Sequence, residues 1–278
     1  MEHNMNGQVV VITGGGGVLC STIAKEYAKR GAKVAVTDLR QEAAQAVVDE
    51  IVKDGGVAKA YGINCLDKAS IIAAHDAIVS DLGPCTILVN GAGGNHPKGT
   101  TTSEYFFLED IDDEAKVSFF DLDESGVDFV FKLNFTATFL TTQVFAKDMV
   151  KTGGNIINIS SMNAFRPLTK IPAYSGAKAA VSNFTAWLAV HFANAGIRVN
   201  AIAPGFFVTK QNQALLFNPD GSPTPRTGKI LAGTPMKRFG KPEELLGTIM
   251  WLTDNDAASF VTGIVVPIDG GFSAYSGV

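Results

Sequence analysis

Residues 9–20 read VVVITGGGGVLC: an apolar, β-branched run that stops at Thr13, four consecutive glycines, and the start of a second apolar stretch. VVVIT reads as a buried strand, because a parallel strand covered on both faces is continuously apolar rather than alternating. From Val18 to Arg30, Ile23, Tyr27 and Ala28 recur at three- and four-residue spacing and read as one face of a helix. A strand, a glycine cluster and a helix in that order put unhindered backbone N–H groups at a helix N-terminus, where the macrodipole favours phosphate. Glycine is required because a Cβ would hold a diphosphate away from those N–H groups or forbid the φ the turn needs. A GxxxxGK[ST] loop would need Lys-Ser or Lys-Thr after its last glycine, and Val18-Leu19-Cys20 offers neither.

The alternation continues down the chain. KVAVTD (33–38), VAKAYGI (57–63), CTILVN (85–90), NIINIS (155–160), RVNAIA (198–203) and IVVPI (264–268) read as strands. Helical patterns lie between them at about 41–53, 68–82, 127–151, 172–194 and 242–252, with Pro172 suited to a first helical position. Strands joined through helices run parallel with right-handed crossovers. The expected class is α/β, a doubly wound parallel sheet with helices on both faces, in a single domain spanning residues 1–278. Two segments break the rhythm: 94–126, rich in Asp, Thr and Phe, and 204–241, with five prolines and five glycines. They read as a substrate-side insertion and a substrate-binding loop or lid.

Composition narrows the partners. With 46% hydrophobic and 18% charged residues the chain has ample material for a core. A net charge of −4 supplies no basic stripe, so the expected partner is a small molecule and not nucleic acid. No window holds the roughly 18 apolar residues of a membrane span, and MEHNMNGQ is no signal peptide, so a cytoplasmic protein is expected. Cys20, Cys65 and Cys85 lack chelating or disulfide spacing and read as reduced, packed thiols. No metal is expected, since His96 has no second ligand at suitable spacing.

Asp38 ends the second strand, 24 residues after Gly14. An acid there accepts hydrogen bonds from the adenosine ribose and repels a 2′-phosphate, which favours NAD over NADP, although Arg40 two residues on softens the exclusion. In PAYSGAKAAV, Tyr174 and Lys178 stand at i and i+4 on one helical face. An ammonium beside a phenol favours the phenolate and lowers its pKa from about 10, which makes a proton carrier. Ser160 and Ser161 leave a strand at the sheet edge where such folds place ligands, with Ser161 thirteen residues before Tyr174.

TGGGGVL (13–19), NGAG (90–93), Asn134, the Ser161–Tyr174–Lys178 set, Pro204-Gly205 with Thr209, and TGIVVPIDGG (262–271) together resemble the short-chain dehydrogenase/reductase family over essentially the whole chain. The resemblance implies a Rossmann-type fold with Tyr174 as acid/base and Ser161 positioning the substrate oxygen. Lys178 would tune Tyr174 and hold the nicotinamide ribose, and Asn134 would support a water-linked proton path. It implies cofactor binding by Gly14, Gly17, Val18, Leu19, Asp38, Leu39, Asn64, Cys65, Asn90, Ala92, Gly93, Tyr174, Lys178, Pro204, Gly205, Phe207 and Thr209, and a homotetramer. One departure stands out: Val18 and Cys20 occupy the second and third glycine positions of the family's T-G-x-x-x-G-x-G turn, leaving Gly17 part of the close approach.

The segments NHPKGTT (95–101), 161–174, 205–231 and the tail 269–278 resemble members of that family acting on sugar acids, with D-mannonate and D-fructuronate as the implied pair. A hexonate carries a carboxylate, and Arg166, five residues after Ser161, is the expected cation, with Lys98, Lys170 and Lys210 as alternatives. Asn163, His96 and Gln211 are expected to read hydroxyls, alongside Ser161 and Tyr174 at the reacting oxygen. Gluconate, polyol or 3-oxoacyl chemistry on the same framework, and a non-catalytic dinucleotide-binding module, are the competing readings.

Overall fold

A computed structural model describes residues 4–209 and 213–277. Seven parallel strands form one sheet in the order β3-β2-β1-β4-β5-β6-β7: β1 (Val9–Thr13), β2 (Lys33–Asp38), β3 (Val57–Gly62), β4 (Ile87–Asn90), β5 (Gly154–Ile159), β6 (Ile197–Pro204) and β7 (Val265–Ile268). The helices between them are α1 (Val18–Lys29), α2 (Gln41–Lys53), α3 (Lys68–Asp81), α4 (Glu124–Phe131), α5 (Ala137–Phe145), α6 (Pro172–Phe192), α7 (Gln213–Leu216), α8 (Pro225–Gly233) and α9 (Leu246–Thr253). The doubly wound α/β fold expected from the alternation is the one observed.

The unbroken apolar run of β1 has a simple cause: both faces of the strand are covered. Val10 and Ile12 pack with Ile23, Val34, Val47 and Ile249 on one side, and Val9 and Val11 pack with Ile71, Ile78, Leu88 and Phe145 on the other. Each such side chain contributes about 1.5–3 kcal/mol when taken fully out of water. Register then fixes the sheet's upper edge, with Thr13 paired to Thr37 on one flank and to Asn90 on the other.

Three departures from the sequence pattern have local causes. The helix expected over 127–151 is split into α4 and α5 by a π turn at Lys132–Thr136. There Asn134 Nδ2 takes the Val130 carbonyl at 2.8 Å, which a regular ladder gives to a main-chain N–H. The strand expected from Cys85 starts at Ile87, because the Cys85 N–H goes to Asp148 Oδ2 at 2.9 Å. Within 204–241 the chain forms two short helices; Thr224 caps α8 by accepting the Thr227 N–H at 3.4 Å, and Pro225 fills its first turn. The 94–126 segment is tightened by 3-10 turns at Pro97–Gly99, Leu108–Asp112 and Phe119–Asp121, the buried Asp110 carboxylate being paired with Lys116. All three cysteines are free and buried, and no helix among the described residues is long and apolar enough to cross a membrane.

A buried polar chain binds sheet to helices. Asn90 Nδ2 donates to Thr142 Oγ1 (3.0 Å) and Asn158 Oδ1 (2.9 Å), its Oδ1 accepts from Thr141 Oγ1 (2.6 Å), and Asn158 Nδ2 donates to Thr185 Oγ1 (2.9 Å). Thr185→Val strands the Asn158 amide in a dry site, an expected cost of about 1–3 kcal/mol, read as a lower urea midpoint with an unchanged m-value. His75 links α3 to the turn after α5, its Nε2 3.0 Å from Asp148 Oδ1 and its Nδ1 2.9 Å from Asp76 Oδ1. Burial lowers its pKa, but the two carboxylates outweigh burial and the net shift is upward from 6.5. Its contribution is therefore complete below pH 6.5 and disappears as pH rises through the folded value. Thermal midpoints should fall across that window, and His75→Gln should abolish the fall.

Candidate active site

Helix α1 starts on Gly17, which has extended backbone and no capping side chain, so its first-turn N–H groups face the space above the sheet. Gly14 turns the chain with φ +65°, and a Cβ on it would sit 3.1 Å from the Ala92 backbone, so the turns after β1 and β4 touch. The departure at Cys20 is absorbed in the same place: a Cβ on Gly91 would collide with Cys20 Sγ, so the glycine missing from α1 is supplied across the cleft by NGAG. Burial pushes the Cys20 thiol up to about 12, which keeps it protonated and inert. At the end of β2, Asp38 Oδ2 accepts the Gly16 N–H (3.1 Å) and Oδ1 the Arg40 N–H (3.1 Å). Each oxygen retains a lone pair for a further donor.

Across the cleft, Ser161 follows β5 and its Oγ accepts the Asn163 N–H at 3.2 Å. Tyr174 and Lys178 lie on α6, one turn apart. The Lys178 ammonium donates to the Ile159 carbonyl at 2.8 Å and lies 5.7 Å from the centroid of the Tyr174 ring. Burial pushes Lys178 down to about 8. Burial also raises Tyr174 above its ordinary 10, with the Ser161 hydroxyl acting in the other direction. The expected lowering of Tyr174 by Lys178 is absent here, because the ammonium stands over the ring face, committed to a carbonyl, and desolvation dominates. Asn134 is fully buried; its Nδ2 donates to the Gly94 carbonyl at 2.7 Å and its Oδ1 accepts the Gly94 N–H at 3.2 Å. That double bond fixes the start of the 94–126 segment beside Lys178. Gly93 lies between them, where a Cβ would stand 2.6 Å from Asn134 Oδ1 and 3.1 Å from Lys178 Nζ.

These residues line one cleft of about 790 Å³, within the range of small-molecule sites. Of the residues expected to bind cofactor or substrate, Gly14, Gly17, Val18, Leu19, Asp38, Ala92, Gly93, Ser161, Tyr174, Lys178, Pro204, Gly205, Phe207 and Thr209 line it. Leu39, Asn64, Cys65, Asn90, Asn163, Arg166, His96 and Lys98 do not. Leu39 is 72% exposed and Asn90 belongs to the buried chain. Asn64 Oδ1 caps its own turn through the Leu66 N–H at 3.0 Å, and Cys65 is buried. Lys98 pairs with Asp123 at 2.9 Å, His96 Nδ1 accepts the Lys98 N–H at 3.2 Å, and Arg166 Nε donates to the Ser273 carbonyl at 2.7 Å, tying down the tail. Asn163 is buried behind Ser161 with its Oδ1 unpaired by protein. Lys210 and Gln211 lie outside the described residues. Gly16, Cys20, Arg40, Gly91, Gly94, Ile159, Ser160 and Phe206 line the cleft as well, each within or beside a motif.

An uncapped helix N-terminus, a glycine-bare approach and a carboxylate at one end, with a Ser–Tyr–Lys set at the other, fit a dinucleotide lying across the strand ends. Comparison with known proteins agrees. Residues 8–218 match the short chain dehydrogenase family. The chain is 58% identical to an uncharacterized oxidoreductase of Haemophilus influenzae, covering all of this chain and 97% of the relative. It is 32% identical to the 7alpha-hydroxysteroid dehydrogenase of Escherichia coli K12, over 96% of this chain and 94% of that one. A solved structure from Haemophilus influenzae with bound NAD, provisionally named a D-mannonate oxidoreductase, superposes with a TM-score of 0.95 at 57% identity, over 99% of this chain and 98% of that one. With the motif matches, the strand order and the Ser161–Tyr174–Lys178 geometry in agreement, the chain belongs to the short-chain dehydrogenase/reductase family.

Proposed function

We propose that this oxidoreductase uses NAD to interconvert a secondary alcohol and a ketone in a sugar acid, D-mannonate and D-fructuronate being the pair. The observation that carries the reading is the Ser161–Tyr174–Lys178 set at the end of β5, opposite a glycine turn that ends in an acid at position 38. The solved relative with bound NAD supports the cofactor, and its provisional name supports the substrate. The cofactor supplies the hydride acceptor for oxidation and the donor for reduction. Ser161 and Tyr174 both hydrogen-bond the reacting oxygen; in oxidation Tyr174 takes the hydroxyl proton as the carbon gives up hydride, and in reduction it returns that proton. Lys178, pushed down to about 8 by burial, remains mostly charged at neutral pH and is the cation that would favour the Tyr174 phenolate once the cleft is occupied. Asn134 holds the 94–126 segment against α6, and Asp38 receives the adenosine ribose.

The same reading makes 94–126 and 204–241 the walls of the substrate pocket on one domain, and the assembly a cytoplasmic homotetramer. Arg166 bridges to the tail through Nε, and its Nη groups make no hydrogen bond among the described residues.

The primary test follows absorbance at the NADH band with D-fructuronate, against NADPH. Turnover with NADH is expected, and its absence from a folded, NADH-binding protein overturns the reading. Tyr174→Phe should lower kcat by about 10²–10⁴-fold with NADH affinity retained. Asp38→Ser removes the charge facing a 2′-phosphate and should raise kcat/KM for NADPH by about tenfold or more; no change would show that Asp38 does not select the cofactor.

A further inference from the structure

The three segments on the substrate side converge on one carboxylate. Glu104, in the 94–126 segment, accepts from Lys229 Nζ on α8 with both oxygens, at 3.0 and 2.9 Å. Lys170 comes in from the loop between Ser161 and Tyr174. Its carbonyl accepts the Thr101 N–H at 2.9 Å, and its backbone is left-handed, φ +72°, a conformation that a lysine keeps only where its surroundings impose it. Arg226 stands one turn before Lys229 on α8. The Lys229 bond, followed by the charges of Lys229, Lys170 and Arg226, holds the Glu104 carboxyl below its ordinary value. Lys170 and Arg226 have no ion pair of their own among the described residues.

One cation therefore holds the carboxylate directly, and the Thr101–Lys170 backbone bond and the helical spacing of α8 bring two more into its neighbourhood, in a chain whose net charge is −4. The imbalance is regional: residues 161–231 hold seven Lys and Arg against the single acid Asp220. Such a junction has unspent positive charge close to the loop that leads into Tyr174.

We propose that this junction is the carboxylate subsite of the substrate pocket: the acid group of the substrate replaces Glu104 on Lys229 and is held with it by Lys170 and Arg226. The inference rests on the sugar-acid reading and deepens it. Lys229 is largely exposed, so exchanging one carboxylate for another on it carries little desolvation cost. A neutral alcohol has nothing to exchange, which gives discrimination against uncharged polyols. Arg166 is then a clamp on the tail and not the ligand of the acid group.

The test is steady-state oxidation of D-mannonate with NAD by the full chain and by Lys170→Gln, Lys229→Gln, Glu104→Gln and Arg166→Ala. Calorimetric titration of D-mannonate into the enzyme–NADH complex gives a second readout without turnover. Each lysine variant is expected to raise KM and Kd about tenfold with kcat changed by less than about threefold, and Glu104→Gln is expected to lower both constants. A mere strut between the 94–126 segment and α8 would respond to Glu104→Gln and Lys229→Gln in the same direction. Shifts of equal sign, lysine variants indistinguishable from wild type, or an Arg166→Ala effect that replaces theirs would each overturn the subsite while leaving the sugar-acid reading intact. A wild-type protein that neither oxidises nor binds D-mannonate overturns that reading and the subsite together.

Discussion

The site depends on a reversal of strand order. After β1 the chain moves outward to β2 and β3, then crosses back so that β4 pairs with the other flank of β1. Right-handed crossovers send the intervening helices to opposite faces, and none of them fills the space above the carboxyl ends of β1 and β4. The cleft opens there, and its walls are strand ends: Asp38 closes β2, Ser161 follows β5 and Pro204 closes β6. Distances within the site are thus set by sheet register, and register is set by two-sided burial of strands such as β1. The Asn90–Asn158–Thr185 chain adds a directional lock between β4, β5 and α6, so the helix that carries Tyr174 and Lys178 is tied to the strand that delivers Ser161.

Burial acts on Tyr174 and Lys178 in opposite directions, and both effects favour neutrality. A phenol raised above 10 is a poor base by itself, so proton exchange near neutral pH needs positive charge to appear beside it. Among the described residues Lys178 is the cation on the same helical face as Tyr174, and in this structure its ammonium is held by the Ile159 carbonyl. The pair is consequently set for a bound state, in which the cleft no longer contains water and a cation counts for more.

Much of this was legible in the sequence because the signals were local. Strands buried on two faces write themselves as runs like VVVIT and NIINIS, and a Tyr and a Lys one turn apart must share a helical face. What misled was long-range. Nothing near Cys85 announces that Asp148 will take its N–H, and nothing near Asn134 announces that Val130 and Gly94 will share its side chain and open a π turn. Thr224-Pro225 did carry a helix-start signal for α8, but it was masked by the density of prolines around it. Leu39, Asn64 and Cys65 were expected from family resemblance alone, and each has a local explanation for standing outside the cleft: exposure, a capped turn and burial. Cys20 was read as a flaw in the glycine turn, and its compensation at Gly91 is 71 residues away in the chain.

Substrate choice is the least local property of all. Residues 104–124 hold nine acids and one base, and the remainder of the chain holds 18 acids and 22 bases, so a net charge of −4 conceals two regions of opposite sign. Among the described residues they meet in two ion pairs, Asp123 with Lys98 and Glu104 with Lys229. Opposite regions brought together by folding would ordinarily neutralise each other, yet several acids of 104–124 are engaged locally: Asp110 on Lys116, Asp121 on Ser118, and Asp123 on the flanking Lys98 and Ser125. The basic stretch is therefore left under-compensated beside the catalytic loop. An anionic substrate supplies the missing charge, and a neutral one does not. Composition alone hides this, because the relevant quantity is where folding leaves charge unpaired.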